Sequence, residues 1–560
     1  MKKLAIYISA LLTTALTGCL VNDFPYPVVE CRVESISVEG LAGEPVIDHS
    51  SGTVTLPLLE TTDIQNVKIT DVTITENAVS SRSIVGTHNL SIPFSFVLSM
   101  YANYEWRIVA EQTIPRYFTV EGQVGATEWN LASRTAKVYV GYRGEGSFDP
   151  SKRPSAVKVT SLKLGPEGIT NMRIPAEQIE DFDRRDPDRL WDFTTYRRVE
   201  VSCHGRTEEW NLYVEYTDMK IDFRRADGWV RTAWFYGEGL SGTELGFRYR
   251  EAGSERWTTV PSGDIVMEGG SFRAQVKGLQ PDCDYEAVAY SDDDDSAIVT
   301  FRTEPELPLP NSDFETWSQQ GNVVCPYAST DGRFWDTGNW GSTTLGADYN
   351  ITTFITNDIH AGSPGRTAVR MASRYVVIKF AAGNIFTGEY ASTVGADGVI
   401  HFGRPFTSHP TALRGWVKFS NGKINRLKGS PQDRKLTTDD YDEGMIYVAL
   451  GTWTPDKYGY CKDEKANRYP GTDESPVMVY SADESTFFNR NAPDVIGYGE
   501  KVYTRPTDGW EEFRIDIDYK STDVAPTHII IVCSASRWGD YFTGCDQNVM
   551  LIDDFELLWE

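Results

Sequence analysis

After its first twenty residues the chain has no apolar run long enough to cross a bilayer as a helix, which excludes a polytopic helical membrane protein. Positive charge is scarce: 54 Lys and Arg against 80 Asp and Glu leave a formal net charge of −26. A protein that grips a phosphate backbone needs clustered basic residues, so no nucleic-acid partner is expected. Acidity of this kind serves solubility. Histidine is rare at seven, and His360, His401, His409 and His528 lie outside zinc-ligand spacing. No serine elbow, phosphate loop or H-E-x-x-H is present, which removes the hydrolases and transferases built on them. Of the eight cysteines, all but Cys19 are widely scattered, at 31, 203, 283, 325, 461, 533 and 545. An odd, dispersed set fits neither a disulfide framework nor a zinc cage. Most read as small buried residues, with at most one or two pairs bridged.

What is there begins with MKKLAIYISALLTTALTGCL. Lys2 and Lys3 precede an apolar stretch, Leu4 to Leu16, that is short for a membrane span. Leu16-Thr17-Gly18-Cys19 resembles the bacterial lipobox, in which the Cys thiol carries the lipid. That resemblance implies a signal peptide over 1–18, lipidation at Cys19 and a protein held to a membrane by its lipid. The expected location is the cell envelope, at the outer membrane, on its surface or periplasmic face.

Residues 20–304 read as β throughout. TVTLPLLE, VKITDVTIT and AKVYVGY alternate apolar and polar side chains, the period of a half-buried strand. An internal repeat sets domain limits. The segment from Val38 aligns with that from Val120, Val67 with Val157, and Trp106 with Trp210, and the offset grows as loop insertions would make it. Two tandem immunoglobulin-like sandwiches are expected, 19–117 and 118–218, with Trp106 and Trp210 as core anchors. A third unit, 219–304, contains VKGLQPDCDYEAVAY, which resembles the fibronectin type III corner; Leu279 and Tyr285 would lock it. Four adjacent aspartates, 292–295, read as a solvated hairpin tip. None of these units carries a catalytic grouping, and they read as spacers. Three prolines within 305–310 predict a stiff extended linker.

The rest, 311–560, is richer in Trp, Tyr and His and has the size of one large sandwich. In its last segment Val549, Leu551, Asp553, Phe555, Leu557 and Trp559 fall on one face of a strand, which places Asp553 toward a core. A carboxylate there needs a backbone cap, a basic partner or a metal ion. The opening NSDFE and closing DDFEL resemble carbohydrate-binding jelly rolls, whose first and last strands are often knitted by calcium. The resemblance implies a structural Ca2+ held by Glu315 and Asp553 or Asp554. FWDTGNWG, IKFAAGNIFTG and FGRPF then resemble the putative carbohydrate metabolism domain of envelope lipoproteins from gut-dwelling Gram-negative bacteria. The resemblance covers about Asn311 to Glu560 and implies an association with glycan use, without catalytic residues that carry over.

An all-β architecture is therefore expected: tandem immunoglobulin-like and fibronectin III-like sandwiches followed by a carbohydrate-binding-type jelly roll. Sugar sites combine aromatic platforms with polar groups for hydroxyls. Trp335, Trp340 and Trp416 are the candidate platforms, and Asp336, Asn339, Lys379, Asn384 and Arg404 the candidate polar partners. The competing reading makes Lys379, Asp336 and Arg404 a structural ion-pair network. Asp336, Asp348, Glu389 and Asp397 are the carboxylates a glycosidase could draw on, though none sits in a catalytic motif. Three functions follow: a lipid-anchored glycan-binding protein of polysaccharide utilisation, a glycoside hydrolase or lyase on a jelly-roll frame, or a non-catalytic adhesin or assembly protein.

Overall fold

The computed structural model describes residues 30–49, 51–142, 148–175, 190–219, 221–240, 243–292, 294–376, 379–431 and 434–559. Cys19 and the leader lie outside the described residues. The chain divides between Gln112 and Thr113 into two compact units. Among the described residues the regular elements are almost all strands, with a few single-turn helices between them.

The first unit packs a three-stranded sheet on a five-stranded one around Val54, Leu56, Leu98, Trp106 and Ile108. Its Thr53–Leu58 strand runs parallel to Asn103–Gln112, with Thr53 opposite Arg107. In the second unit Thr135–Gly141 runs parallel to Arg206–Thr217, with Thr135 opposite Asn211. The same pairing thus recurs at the aligned positions of the sequence repeat. Trp106 and Trp210 are both buried, so each anchors the core of its sandwich. Trp106 also donates its indole N–H to the Cys31 carbonyl at 3.0 Å.

Between Ile221 and Arg302 a four-stranded and a five-stranded sheet enclose Phe235, Phe247, Phe272 and Leu279. Here the backbone N–H of Gln280 donates to the Tyr285 hydroxyl at 2.9 Å, the corner that the sequence motif anticipates. The aspartate run forms a hairpin tip, Ser291 pairing with Asp294. All seven cysteines among the described residues are unbridged, and four of them are buried.

The segment expected to be a stiff extended linker is packed against the domain that follows it. Leu309 is buried in the core of the following domain and Leu307 lies against it. Pro305 accepts from Ser408 Oγ at 2.7 Å, and Glu304 accepts from both the backbone and ring nitrogens of His409. The Trp229 ring stacks on His409, centroids 4.4 Å apart and nearly coplanar, while its N–H donates to Thr522. The alternation of proline with leucine explains the difference: proline extends the chain while each leucine finds an apolar seat. The third sandwich is therefore a docked neighbour of the last domain.

That last domain is a two-sheet sandwich. A five-stranded sheet runs in the order Thr352–Ile355, Ala368–Ala372, Val549–Leu558, Ala412–Ser420, Glu511–Asp516. It faces a larger sheet containing Asn384–Val394, His528–Ser534, Gly444–Gly451 and Val495–Tyr503. The run HIIIVCS is apolar without alternation because both its faces are covered. Ile529, Ile531 and Cys533 enter the main core, while Ile530 and Val532 enter a second core on the outer face of the sheet. Residues from 453 to 492 supply Trp453, Phe487 and Phe488 to that outer layer.

Candidate functional site

The loop FWDTGNWG folds inward: Trp335, Asp336, Thr337 and Asn339 are buried, while Phe334, Trp340 and the two glycines are half-buried. Trp335 pairs with Thr387 in a short strand and has 0% exposure, its ring against Phe314 and Phe555 and its N–H on Pro310 O at 2.8 Å. Asn339 is equally buried and fully satisfied. Its Nδ2 donates to Val324 O and Thr352 O, and its Oδ1 accepts from Ile351 and Thr352 N–H, all within 2.9 Å. Asp336 accepts from Thr337 N at 2.8 Å and Tyr390 N at 2.9 Å. Burial pushes its carboxyl up to about 6, against the pull of the Tyr390 N–H and Arg333. Arg404 is buried too, donating to Phe334 O, Ser475 Oγ and Gly388 O. These four residues, expected to meet a sugar, present no accessible face. Glycine turns allow the loop to fold back, and its polar side chains replace strand partners inside the sheet edge.

The remaining candidates scatter. Asn384 accepts from Gly338 N at 2.8 Å and holds the loop down. Trp340 is half-buried against Val323, Cys325 and Tyr327. Lys379 pairs with Asp397, not with Asp336, and lies over the Phe542 ring at 3.5 Å. Trp416 sits on the other sheet, stacked on His360 with centroids 4.3 Å apart. A network does form around Asp336, but its cation is Arg333, which bridges Asp336 and Glu389; Glu389 in turn meets His401 Nδ1 at 3.2 Å. The eight residues do not converge on one cleft.

Two other groupings do converge. The first is at the closing strand. Arg414 pairs with Glu556 and Trp416 with Asp553, so Gly415 faces two residues, Asp554 and Phe555. This bulge puts Asp554 at φ +46°, a left-handed conformation that costs a non-glycine residue energy. It also reverses the alternation: Met550 and Ile552 face the main core before it, Phe555, Leu557 and Trp559 after it. Asp553 consequently leaves the core face that period-two reading assigned to it. It turns, with Asp554, toward His360, and one ligand-capable atom from each of the three lies within 4.8 Å of the others. Desolvation first, then the Asp554 charge, pushes the Asp553 carboxyl up to about 7, and the nearby Glu315 adds to the same effect. Glu315 itself clamps the preceding loop by accepting from Arg366 N and Thr367 N, both at 2.7 Å. The residues expected to bind calcium are thus neighbours, but an imidazole stands among them.

The second grouping lies on the outer face of the larger sheet and has no signature in the sequence. Tyr447 is at its centre, stacked on Phe488 at 5.3 Å and beside Tyr498 at 6.0 Å. Phe487 meets Tyr541 edge-on at 5.4 Å. Phe487, Phe488, Tyr498 and Tyr541 are each partly open to solvent. Polar groups border these rings: Tyr498 donates to Glu500 at 3.0 Å, and Arg490 pairs with Glu500. Asp540 raises the pKa of Tyr447, so its charge is felt at the centre of the group. Solvent reaches Asp540, yet desolvation pushes its carboxyl up to about 6. Among the described residues no cation pairs with it.

The fold defines an all-β protein of tandem sandwiches. Residues 312–558 match the family described as the putative carbohydrate metabolism domain, and this part of the chain is such a domain. Among solved structures, the chain is similar to a putative glycoside hydrolase from Bacteroides thetaiotaomicron at 14% identity, over 76% of this chain and 91% of that one, with a TM-score of 0.29. A putative glycoside hydrolase from Bacteroides vulgatus is 22% identical over 44% of this chain and 97% of its own, with a TM-score of 0.31. No curated protein sequence matches the chain.

Proposed function

We propose that this is a lipid-anchored cell-envelope protein whose C-terminal domain binds glycan on the outer face of its larger sheet. The observation that carries the reading is the group of half-open rings Phe487, Phe488, Tyr498 and Tyr541, bordered by Arg490, Glu500 and Asp540. Flat rings take the C–H faces of sugars, while carboxylates and a guanidinium take their hydroxyls. Affinity electrophoresis of the full chain through a panel of soluble polysaccharides tests it. At least one polysaccharide should retard the wild type, and Phe488→Ala and Tyr498→Ala should each be retarded about tenfold less while remaining folded. Equal retardation of folded variants would overturn the assignment. The anchor is tested separately: Cys19→Ala should move the protein out of the membrane fraction, and a variant that stays there would refute lipidation at Cys19.

A second reading, hydrolysis, is favoured by Asp540. Asp540 is an exposed carboxyl whose charge reaches Tyr447 and which pairs with no cation among the described residues, the position a general acid of glycosidic cleavage needs beside the rings. Release of reducing ends that disappears in Asp540→Asn would establish it; retention without release leaves the protein a binder.

A further inference from the structure

We infer that His360, Asp553 and Asp554 form a site for a zinc-class divalent cation, a staple between the closing strand and the loop before Ala368. His360 Nε2 lies 2.7 Å from Asp554 Oδ2, and its Nδ1 lies 3.2 Å from Ala361 O. Metal-bound histidines characteristically donate the second ring N–H to a backbone carbonyl in this way. With the proton on Nδ1, the Nε2 lone pair points at a carboxylate oxygen, so either a second proton or a cation must stand between them. Asp553 distinguishes the two. Its side chain has 0% exposure; Oδ1 accepts from Asp554 N, and Oδ2 has no hydrogen-bond partner. A proton on His360 satisfies Asp554 and leaves Asp553 Oδ2 orphaned in the interior. A cation drawing on all three ligand atoms satisfies both.

The bulge is what makes the set possible. In a regular strand Asp553 and Asp554 would point to opposite sides, whereas the left-handed Asp554 brings both carboxylates to the imidazole. Ligand atoms around a tetrahedral cation at about 2.1 Å sit roughly 3.4 Å apart, so on binding the 2.7 Å His360–Asp554 spacing opens and the wider spacings, which reach up to 4.8 Å, close. Calcium prefers an all-oxygen shell of six or more ligands. Here one of the three ligands is nitrogen, and Glu315 Oε1 is already taken by backbone N–H groups. Nitrogen with carboxylate oxygen suits zinc and its neighbours.

The full chain, freed of metal with a chelator, is titrated with Zn2+ alone and with Ca2+ alone, followed by calorimetry, thermal unfolding and tryptophan fluorescence. Trp416 lies flat on the His360 ring and reports on it directly. Zn2+ should bind with a stoichiometry near one, raise the melting temperature and change the fluorescence. His360→Gln and Asp553→Asn should each weaken that binding by about tenfold or more. Should His360→Gln fail to fold, Asp553→Asn, which removes a buried charge at constant shape, decides alone. Three outcomes would overturn the inference: no Zn2+ binding, Zn2+ binding undiminished in the folded variants, or tighter binding of Ca2+ than of Zn2+ at these residues.

Discussion

Two aromatic-rich regions of the last domain look alike on paper and differ in the fold. The loop from Phe334 to Gly341 mixes indoles with Asp, Thr and Asn; its Trp335, Asp336, Thr337 and Asn339 are buried, with the side-chain amide of Asn339 fully engaged. The stretch around Phe487–Arg490 and Val495–Tyr503 has no comparable motif, yet its rings stay half open beside charged groups. Polar neighbours in sequence therefore do not mark exposure. What separates the two regions is whether the polar atoms find partners inside the protein.

The strongest way to break this comparison is in the inward-folded loop. Trp335→Ala empties a fully buried indole site and should destabilise the domain by about 3–5 kcal/mol, read by urea unfolding. A loss below about 1 kcal/mol would mean that the loop opens after all. Asn339→Ala should follow closely, costing about 3 kcal/mol or more, because it strands four buried backbone groups at once. On the other side of the comparison, Tyr498→Ala should leave the fold standing and weaken glycan retention by about tenfold, the value of one good ring contact. If it unfolds the domain instead, the outer face is core and not a binding surface.

The smallest effect concerns Asp540. Its folded pKa of about 6 lies above the unfolded carboxylate value. The unfolded state therefore loses its proton first, and the group opposes folding increasingly as pH rises from about 4 through 6. Below that window it contributes nothing. Asp540→Asn should match the wild type near pH 4 and exceed it slightly at pH 8 in thermal melts. A variant less stable than wild type at pH 8 would show that the carboxylate has an unseen partner.

Much of the architecture was legible in the chain. Period-two alternation marked the strands, and the drifting repeat from Val38 and Val120 located two sandwiches that share one parallel pairing, Thr53 with Arg107 and Thr135 with Asn211. The candidate sites were far less legible. Glu315, Asp553 and Asp554 were paired through the ends of the domain, but His360, nearly two hundred residues before Asp554, has no spacing signal. Tyr447, Tyr498 and Asp540 are brought together by adjacent strands and a late turn, which no short motif encodes.

By itself, then, the sequence determined strand content, the repeat, the buried tryptophans of the sandwiches and the carbohydrate-type closing domain. The first three depend on local alternation and on large apolar side chains that favour burial, the last on motifs that resemble a known family. The tertiary structure alone decided which polar side chains were consumed as internal partners and which stayed open. It also decided that one extra residue at Asp554 turns two carboxylates toward a histidine. A bulge shifts the phase of a strand by a single residue, and that shift depends on the pairing strand, not on the strand's own text.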